Sequence, residues 1–340
     1  MSISYVVYAE QALNTAVDGI NFTNNAAKLQ FTADLFLKPP KVDAWGDLST
    51  NAAILLKSQL NIPLEDAAKP FLAAFAGLKA VNPVNLTTTG YINLIFKPSY
   101  WHEQLPLLLK NAEKYGMDLG LERARRVNIR LPAQKDDLVG AREQANADVL
   151  ERLAALAGWQ VQKSENQVRD LEGISFEIAA AKCTASGVRF ALLANSPAFA
   201  LSFSHNLAMD KTYNNPVFSI PYALATLDKL IAGFDNEQPD APDLTVLDAA
   251  LELKLAKLLC DWPLTVTKAL EKEDVLYLTS FLQDVSLLFF RLRDQVRPVS
   301  SSYLHDERAA GARVYLLKAV RLVLQRGLDV LGISVNKEFE

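Results

Sequence analysis

The chain has 340 residues, half of them hydrophobic, with 35 Lys and Arg against 39 Asp and Glu and a formal charge of −4. That composition supports a sizeable core spread over two or three domains and excludes a disordered tail. A nearly balanced charge excludes a global basic field, so any nucleic-acid surface has to be a local patch.

Residues 1–5 open without the basic segment and apolar run of a secretory signal, and no stretch reaches the roughly 18 apolar residues of a membrane span, so the expected location is cytoplasmic. Residues 1–115 mix short strand-like and helical runs, which predicts a small α/β domain. Within it, residues 51–59 are expected to form a helix capped by Ser49 or Thr50. Residues 84–96 carry β-branched and aromatic side chains broken by Gly90, the pattern of a hairpin with a permissive turn. Trp101 and the leucines after it resume a helix.

Residues 125–131 alternate apolar and polar side chains as a short strand, and residues 141–158 follow as a helix ended by Gly158. This makes one β-α unit, with no second one evident. Residues 160–184 are poorly patterned, and the apolar run 188–194 breaks at Asn195-Ser196-Pro197, so residues 116–210 are expected to include a connector. After Pro216 the chain reads as almost wholly helical. Val275, Leu278, Leu282, Val285, Phe289 and Leu292 form one apolar stripe, and Val314, Leu317, Val320, Leu324, Leu328 and Leu331 form another. Residues 211–340 are expected to be a helical bundle, interrupted by a loop around Pro239 and Pro242. The overall class is α+β.

Little in the sequence offers chemistry. Cys183 and Cys260, with His102, His205 and His305, lie too far apart for zinc-ligand spacing, which predicts buried thiols and no metal. Neither a Gly-x-x-x-x-Gly-Lys-Ser/Thr loop nor a Gly-x-Gly-x-x-Gly loop is present, and no histidine accompanies a glycine-flanked serine. No cofactor is expected.

Three stretches carry a family resemblance. Gly46-Asp47-Leu48-Ser49-Thr50-Asn51-Ala52-Ala53, with the later Gly90-Tyr91-Ile92-Asn93, resembles the additional N-terminal domain of class I arginyl-tRNA synthetases. Asn215-Pro216-Val217-Phe218, Tyr222-Ala223 and the run from Leu317 through Gly327-Leu328-Asp329-Val330-Leu331-Gly332-Ile333 resemble that family's anticodon-binding domain of the DALR type. Between them, Ala185-Ser186-Gly187-Val188-Arg189-Phe190 and Ser196-Pro197 resemble the segment after the family's lysine-rich signature loop. Most of the family's nucleotide-binding fold is missing in between, which implies that residues 116–210 keep only a remnant of a Rossmann-type catalytic domain.

The resemblance also implies lost catalysis. The family aims two histidines of a His-x-Gly-His motif at the ATP phosphates. Here Asp137-Leu138-Val139-Gly140 aligns there, with Arg142 on the arginine that follows. An aspartate repels a polyphosphate and a glycine donates nothing from a side chain. Lys182-Cys183-Thr184-Ala185-Ser186 stands where the lysine-rich loop belongs, with a single lysine. The glutamine, histidine and arginine of the family are Pro221, Leu224 and Thr226 here, and its C-terminal Pro-Glu-Arg-Met is Asn336-Lys337-Glu338-Phe339.

What the resemblance leaves is tRNA. It implies contacts to an anticodon arm from Arg291, Arg293, Arg297, Lys318, Arg321 and Arg326, and contacts to a D-loop from Tyr91, Asn93 and Phe96. Solvated helix faces would show the same basic residues. The expected function is a non-catalytic, tRNA-binding pseudoenzyme, serving as adaptor or regulator. It would be partnered by arginine-type tRNA and by a protein such as a tRNA-modifying enzyme or the true synthetase. The alternatives are a protein-interaction module that has lost RNA and, last, residual arginine–tRNA ligase activity.

Overall fold

The computed structural model describes residues 4–23, 37–40, 42–111, 115, 125–133, 136–166, 174–233, 242–295 and 308–334, which form two compact units divided between Glu103 and Gln104. The first unit contains α1 (Tyr5–Thr23), β1 (Leu48–Thr50), α2 (Ala52–Leu60), α3 (Leu64–Ala76), β2 (Ile92–Leu94) and the beginning of α4 (Pro98–Lys110). Helix α3 buries Ala67, Ala68, Phe71 and Phe75 on one face, and Glu65 and Asp66 in its first turn complement the positive end of its dipole.

The turn expected at Gly90 is present. Its amide donates to the Thr87 carbonyl at 2.9 Å, the Thr87 amide donates to Tyr91 at 2.8 Å, and Gly90 has φ +88°. A Cβ there would lie 2.8 Å from Ile54 Cγ1, so the turn requires glycine. The pairing differs from a simple hairpin, however. β2 runs antiparallel to β1, with Leu48 opposite Leu94 and Thr50 opposite Ile92, while the nearer segment supplies the isolated bridges Leu86–Ile92 and Val81–Phe96. Of the two residues expected to cap α2, Thr50 does so and Ser49 does not. Asn51 occupies the N-cap without a side-chain bond, Thr50 Oγ1 accepts from the Ala52 amide at 3.2 Å, and Ser49 is engaged with Asn93.

The second unit begins with β3 (Arg126–Leu131), α5 (Leu138–Ala157) and β4 (Gln160–Glu165). The strands pair in parallel from Arg126 opposite Gln160 to Leu131 opposite Glu165, so a βαβ unit stands where a lone β-α unit was expected. β4 escaped the sequence reading because all six of its residues are exposed and Val161 is its one apolar side chain. A strand held by its ladder rather than by burial carries no alternation. Helices α6 (Phe176–Lys182), α7 (Ala185–Leu193) and α8 (His205–Ala208) follow.

The bundle comprises α9 (Pro216–Ala232), α10 (Ala250–Cys260), α11 (Trp262–Lys272), α12 (Leu276–Gln295) and α13 (Ala310–Leu331). Both apolar stripes expected in α12 and α13 are buried along their whole length. The two helices approach so closely that a Cβ on Gly327 would fall 2.2 Å from Leu282 Cδ2.

Polar side chains fasten the βαβ unit and α7 to this bundle. Asn146 of α5 donates to the Glu273 carbonyl and accepts from the Val275 amide, each at 3.0 Å. Arg152 donates to the Val330 carbonyl at 2.9 Å and Arg189 to the Leu331 carbonyl at 2.7 Å, satisfying two of the orphan acceptors at the end of α13. Burial pushes the Arg189 pKa down while nearby Asp148 opposes the shift.

Both cysteines are buried. The Cys260 thiol is pushed up to about 12 by burial, with the Tyr115 hydrogen bond working against the shift and Asp261 adding to it. Because the thiolate is the nucleophile, native protein at mildly alkaline pH is expected to leave Cys260 unalkylated by iodoacetamide while the unfolded chain reacts. Peptide mass spectrometry reads the difference, and rapid native labelling would contradict it.

Candidate nucleic-acid interface

The second unit presents a row of aromatic rings that ends on a cation. Phe218 and Tyr222, one turn apart on α9, stack at 5.3 Å and 13°. Tyr222 lies 6.0 Å and 27° from Tyr213, and Tyr213 stacks on Phe290 of α12 at 4.4 Å and 25°. The Arg293 guanidinium sits 4.9 Å over the Phe290 ring and 5.7 Å from the Tyr213 ring, and donates to the Tyr213 hydroxyl at 3.2 Å. Phe290 is buried, Phe218 and Tyr222 are half-buried, and Tyr213 is 37% exposed. Planar rings beside a fixed guanidinium suit unstacked bases and their phosphates.

Arg293 keeps its proton firmly. Burial works against the charge, but the hydrogen bonds to Tyr213 and Asp294 outweigh it and raise the pKa. The expected basic crowding at this helix end is thus partly neutralised, since Asp294 accepts from Arg293 at 2.9 Å. Arg291 is exposed beside Asp284, whose carboxyl is pushed up by burial while Arg291 pulls it back. Arg297 lies outside the described residues. Arg321 of α13 is paired with Asp228 of α9, a half-exposed bridge of small energetic worth. Lys318 and Arg326 are half-buried on α13.

In the first unit, Tyr91 is exposed at the Gly90 turn, and Asn93 Oδ1 accepts from the Ser49 hydroxyl at 2.7 Å. Phe96, expected at an RNA surface, is 2% exposed, and its ring meets Tyr5 at 5.7 Å, Tyr100 at 4.9 Å and Trp101 at 5.6 Å. That corrects its assignment. The residue lies just beyond β2, bridged to Val81, with its ring turned into the core, and no base can stack on it.

The positions that the resemblance aligns with the family's catalytic groups have structural occupations. Asp137 is the N-cap of α5 and accepts from the Gly140 amide at 2.8 Å, with its side chain buried. A carboxylate therefore sits at the positive end of a helix, where a phosphate would otherwise be favoured. Arg142 is buried and donates to the Ser196 and Phe199 carbonyls at 3.1 and 2.9 Å. Lys182 is exposed in the last turn of α6, and Thr184 caps α7 by accepting from Gly187 at 3.0 Å.

Comparison with known proteins places these units in a lineage. Residues 9–96 match the family described as the arginyl tRNA synthetase N terminal domain, and residues 220–339 match the DALR anticodon binding domain. An arginine–tRNA ligase from Psychrobacter sp. is 35% identical over 159 residues, covering 43% of this chain and 26% of that protein. The chain is a relative of the arginyl-tRNA synthetases. A second ligase, from Salinibacter ruber, is 32% identical over 155 residues, covering 44% of this chain and 26% of that protein. This arginyl-tRNA synthetase relative thus spans about a quarter of the length of the curated proteins it matches. Its fold resembles that of the arginyl-tRNA synthetase from Plasmodium falciparum, with TM-score 0.71 and 8% identity over 99% of this chain and 100% of that one. The Thermus thermophilus enzyme gives TM-score 0.65 and 11% identity over 96% and 99%.

The ring row of this arginyl-tRNA synthetase relative was only partly legible beforehand. The i, i+4 pair Phe218 and Tyr222 and the i, i+3 pair Phe290 and Arg293 were visible signals. Tyr213, which joins them, sits in a loop with no periodicity.

Proposed function

We propose that this chain is a tRNA-binding protein that does not activate amino acids. In this reading the βαβ unit is a remnant of a Rossmann-type nucleotide-binding fold, residues 116–210 hold that remnant, and residues 211–340 grip the anticodon arm. Arginine-type tRNA is the favoured ligand, handed on or regulated rather than charged.

One observation carries the reading: buried Asp137 caps α5 where the resemblance puts a phosphate-facing histidine, between two retained synthetase-like domains. A carboxylate there disfavours a bound polyphosphate by charge and fills the amide it would use. The cytoplasm is the fitting compartment; among the described residues no helix is long and apolar enough to cross a membrane.

Anisotropy titration of labelled protein with an arginine-accepting tRNA and an unrelated tRNA, at two salt concentrations, tests it. Binding is expected to be selective and to weaken steeply with salt. Arg293→Ala is expected to weaken it about tenfold through lost stacking and charge. Arginine-dependent ATP–pyrophosphate exchange is expected to be absent. Failure to bind either tRNA at low salt would sink the reading.

The protein-interaction alternative draws support from Phe199, 75% exposed, with Ile178 and Met209 exposed on the same unit. Such residues also mark partner surfaces. Capture of a synthetase or a modifying enzyme by a tRNA-binding-deficient Arg293→Ala variant would favour it.

A further inference from the structure

Parallel strands ordinarily belong to larger sheets with both faces covered. Here β3 and β4 form a two-stranded sheet of their own, with α5 against one face through the bond from Lys163 to Glu151. Val127 and Ile129 are buried on that face. Arg126, Asn128 and Arg130 point the other way and are exposed, as are Gln160, Gln162 and Ser164 beside them.

The backbone of β4 marks where another strand can join. The Gln160 amide donates to the Arg125 carbonyl and the Asn166 amide to the Leu131 carbonyl, each at 2.9 Å, so the even-numbered residues of β4 direct their amides to β3. The odd-numbered ones then face outward. Amides and carbonyls of Val161, Lys163 and Glu165 form an open edge, and among the described residues nothing pairs with them. Such a row is a template for a further strand.

The charges on this edge select a second copy of the same chain. In an antiparallel ladder, outward groups of one strand must meet outward groups of the other. One such register of β4 on itself opposes Lys163 to Lys163, and another sets Val161 against Lys163 without an ion pair. A third, with its twofold axis at Ser164, sets Lys163 of each copy opposite Glu165 of the other, and so makes the favourable pair twice. Lys163 keeps its bond to Glu151 at 2.9 Å yet is half-exposed, and Glu165 has no ion-pair partner among the described residues. The free edge of β3 lacks this self-complementarity. Its outward residues Arg126, Asn128 and Arg130 include no acid to oppose an arginine, and Arg130 already reaches Glu273 at 3.7 Å.

We propose that the chain self-associates as a twofold dimer through β4, merging two sheets into one with the strand order β3-β4-β4-β3 and an antiparallel pair at its centre. The dimer does not depend on RNA binding. A contact one strand wide lies at the low end of interface sizes, so association is weak and concentration-dependent.

Sedimentation velocity of the full chain over about 10 to 300 µM is expected to show a reversible monomer–dimer equilibrium. Lys163→Glu and Glu165→Lys each place like charges opposite one another at both pairs, and each is expected to weaken the dimer about tenfold. Mixed in equal amounts, the two variants restore both pairs in a heterodimer and are expected to recover the original affinity. Ser164→Cys sets a thiol against its own copy across a pair with Cα atoms ~4.5 Å apart, so mild oxidation is expected to give a disulfide-linked dimer. Cys183 and Cys260 are buried and do not compete. Gln160→Cys, equally exposed but about 26 Å from its counterpart in this register, is expected to remain unlinked. A chain that stays monomeric throughout, a mixture no tighter than either variant alone, or equal cross-linking at positions 160 and 164 would each overturn the proposal.

Discussion

Arg313→Ala is expected to destabilise the second unit by about 3 to 5 kcal/mol, the cost of leaving a buried charge without its partner. Glu252 of α10 is 1% exposed, and Arg313 of α13 donates to it from Nε at 2.8 Å with only 18% of its own side chain exposed. Solvent screening therefore softens this pair little, in contrast to the half-exposed Arg321–Asp228 bridge. Glu252 also accepts weakly from the Ala249 amide at 3.4 Å, which cannot replace a guanidinium. Urea denaturation followed by circular dichroism measures the loss. The double change Glu252→Met with Arg313→Met is expected to recover most of it, because replacing a buried pair with apolar groups is often neutral. A shift below about 1 kcal/mol for the single variant would show that the carboxylate reaches water or another donor.

Gly327→Val should be nearly as damaging, for a steric reason. Replacing glycine in a helix ordinarily gains up to about 1 kcal/mol of propensity, less for a β-branched residue. Here the added Cβ would lie 2.2, 2.4 and 2.8 Å from Leu282 Cδ2, Cδ1 and Cγ. Leu282 is fully buried in the α12 stripe, so it has no free space to enter. Overpacking of this kind costs about 1 to 3 kcal/mol, more when two helices must separate, and it outweighs the propensity gain. Leu282→Ala alone should cost about 2 to 5 kcal/mol through its cavity. The two together should cost much less than their sum, because each relieves the other. Additive losses would mean that the helices are not in contact at this point.

The bundle is legible because its helices are long and its apolar positions recur every three or four residues, so the sequence alone places the stripes from Val275 and from Val314. The Gly90 turn was legible for a related reason: one residue type satisfies its backbone. β4 was not, because a strand exposed on every residue leaves no periodic trace and depends on Arg126–Leu131 alongside it. Similar reasoning explains the mixed outcome at the proposed interface. Basic residues can be picked out by type, but sequence does not say that Asp294 and Asp228 engage Arg293 and Arg321. Phe96 and Tyr91 are both aromatic and five residues apart, yet one closes a core and the other is exposed at a turn. Neither lies within β2, and Phe96 is set inward by its bridge to Val81, which spacing along the chain does not reveal.

The hydrogen bonds from Arg152 and Arg189 to the last carbonyls of α13 bear on how this chain can be cut. Division by sequence likeness would separate residues 211–340 from what precedes them, yet that cut removes both donors that finish the terminal helix. The excised bundle would keep its two apolar stripes but begin to open at Leu328 and Leu331, where amide exchange would quicken first. A fragment made for RNA work therefore has to begin ahead of β3, because the βαβ unit and α7 together act as the clamp on the helix that follows.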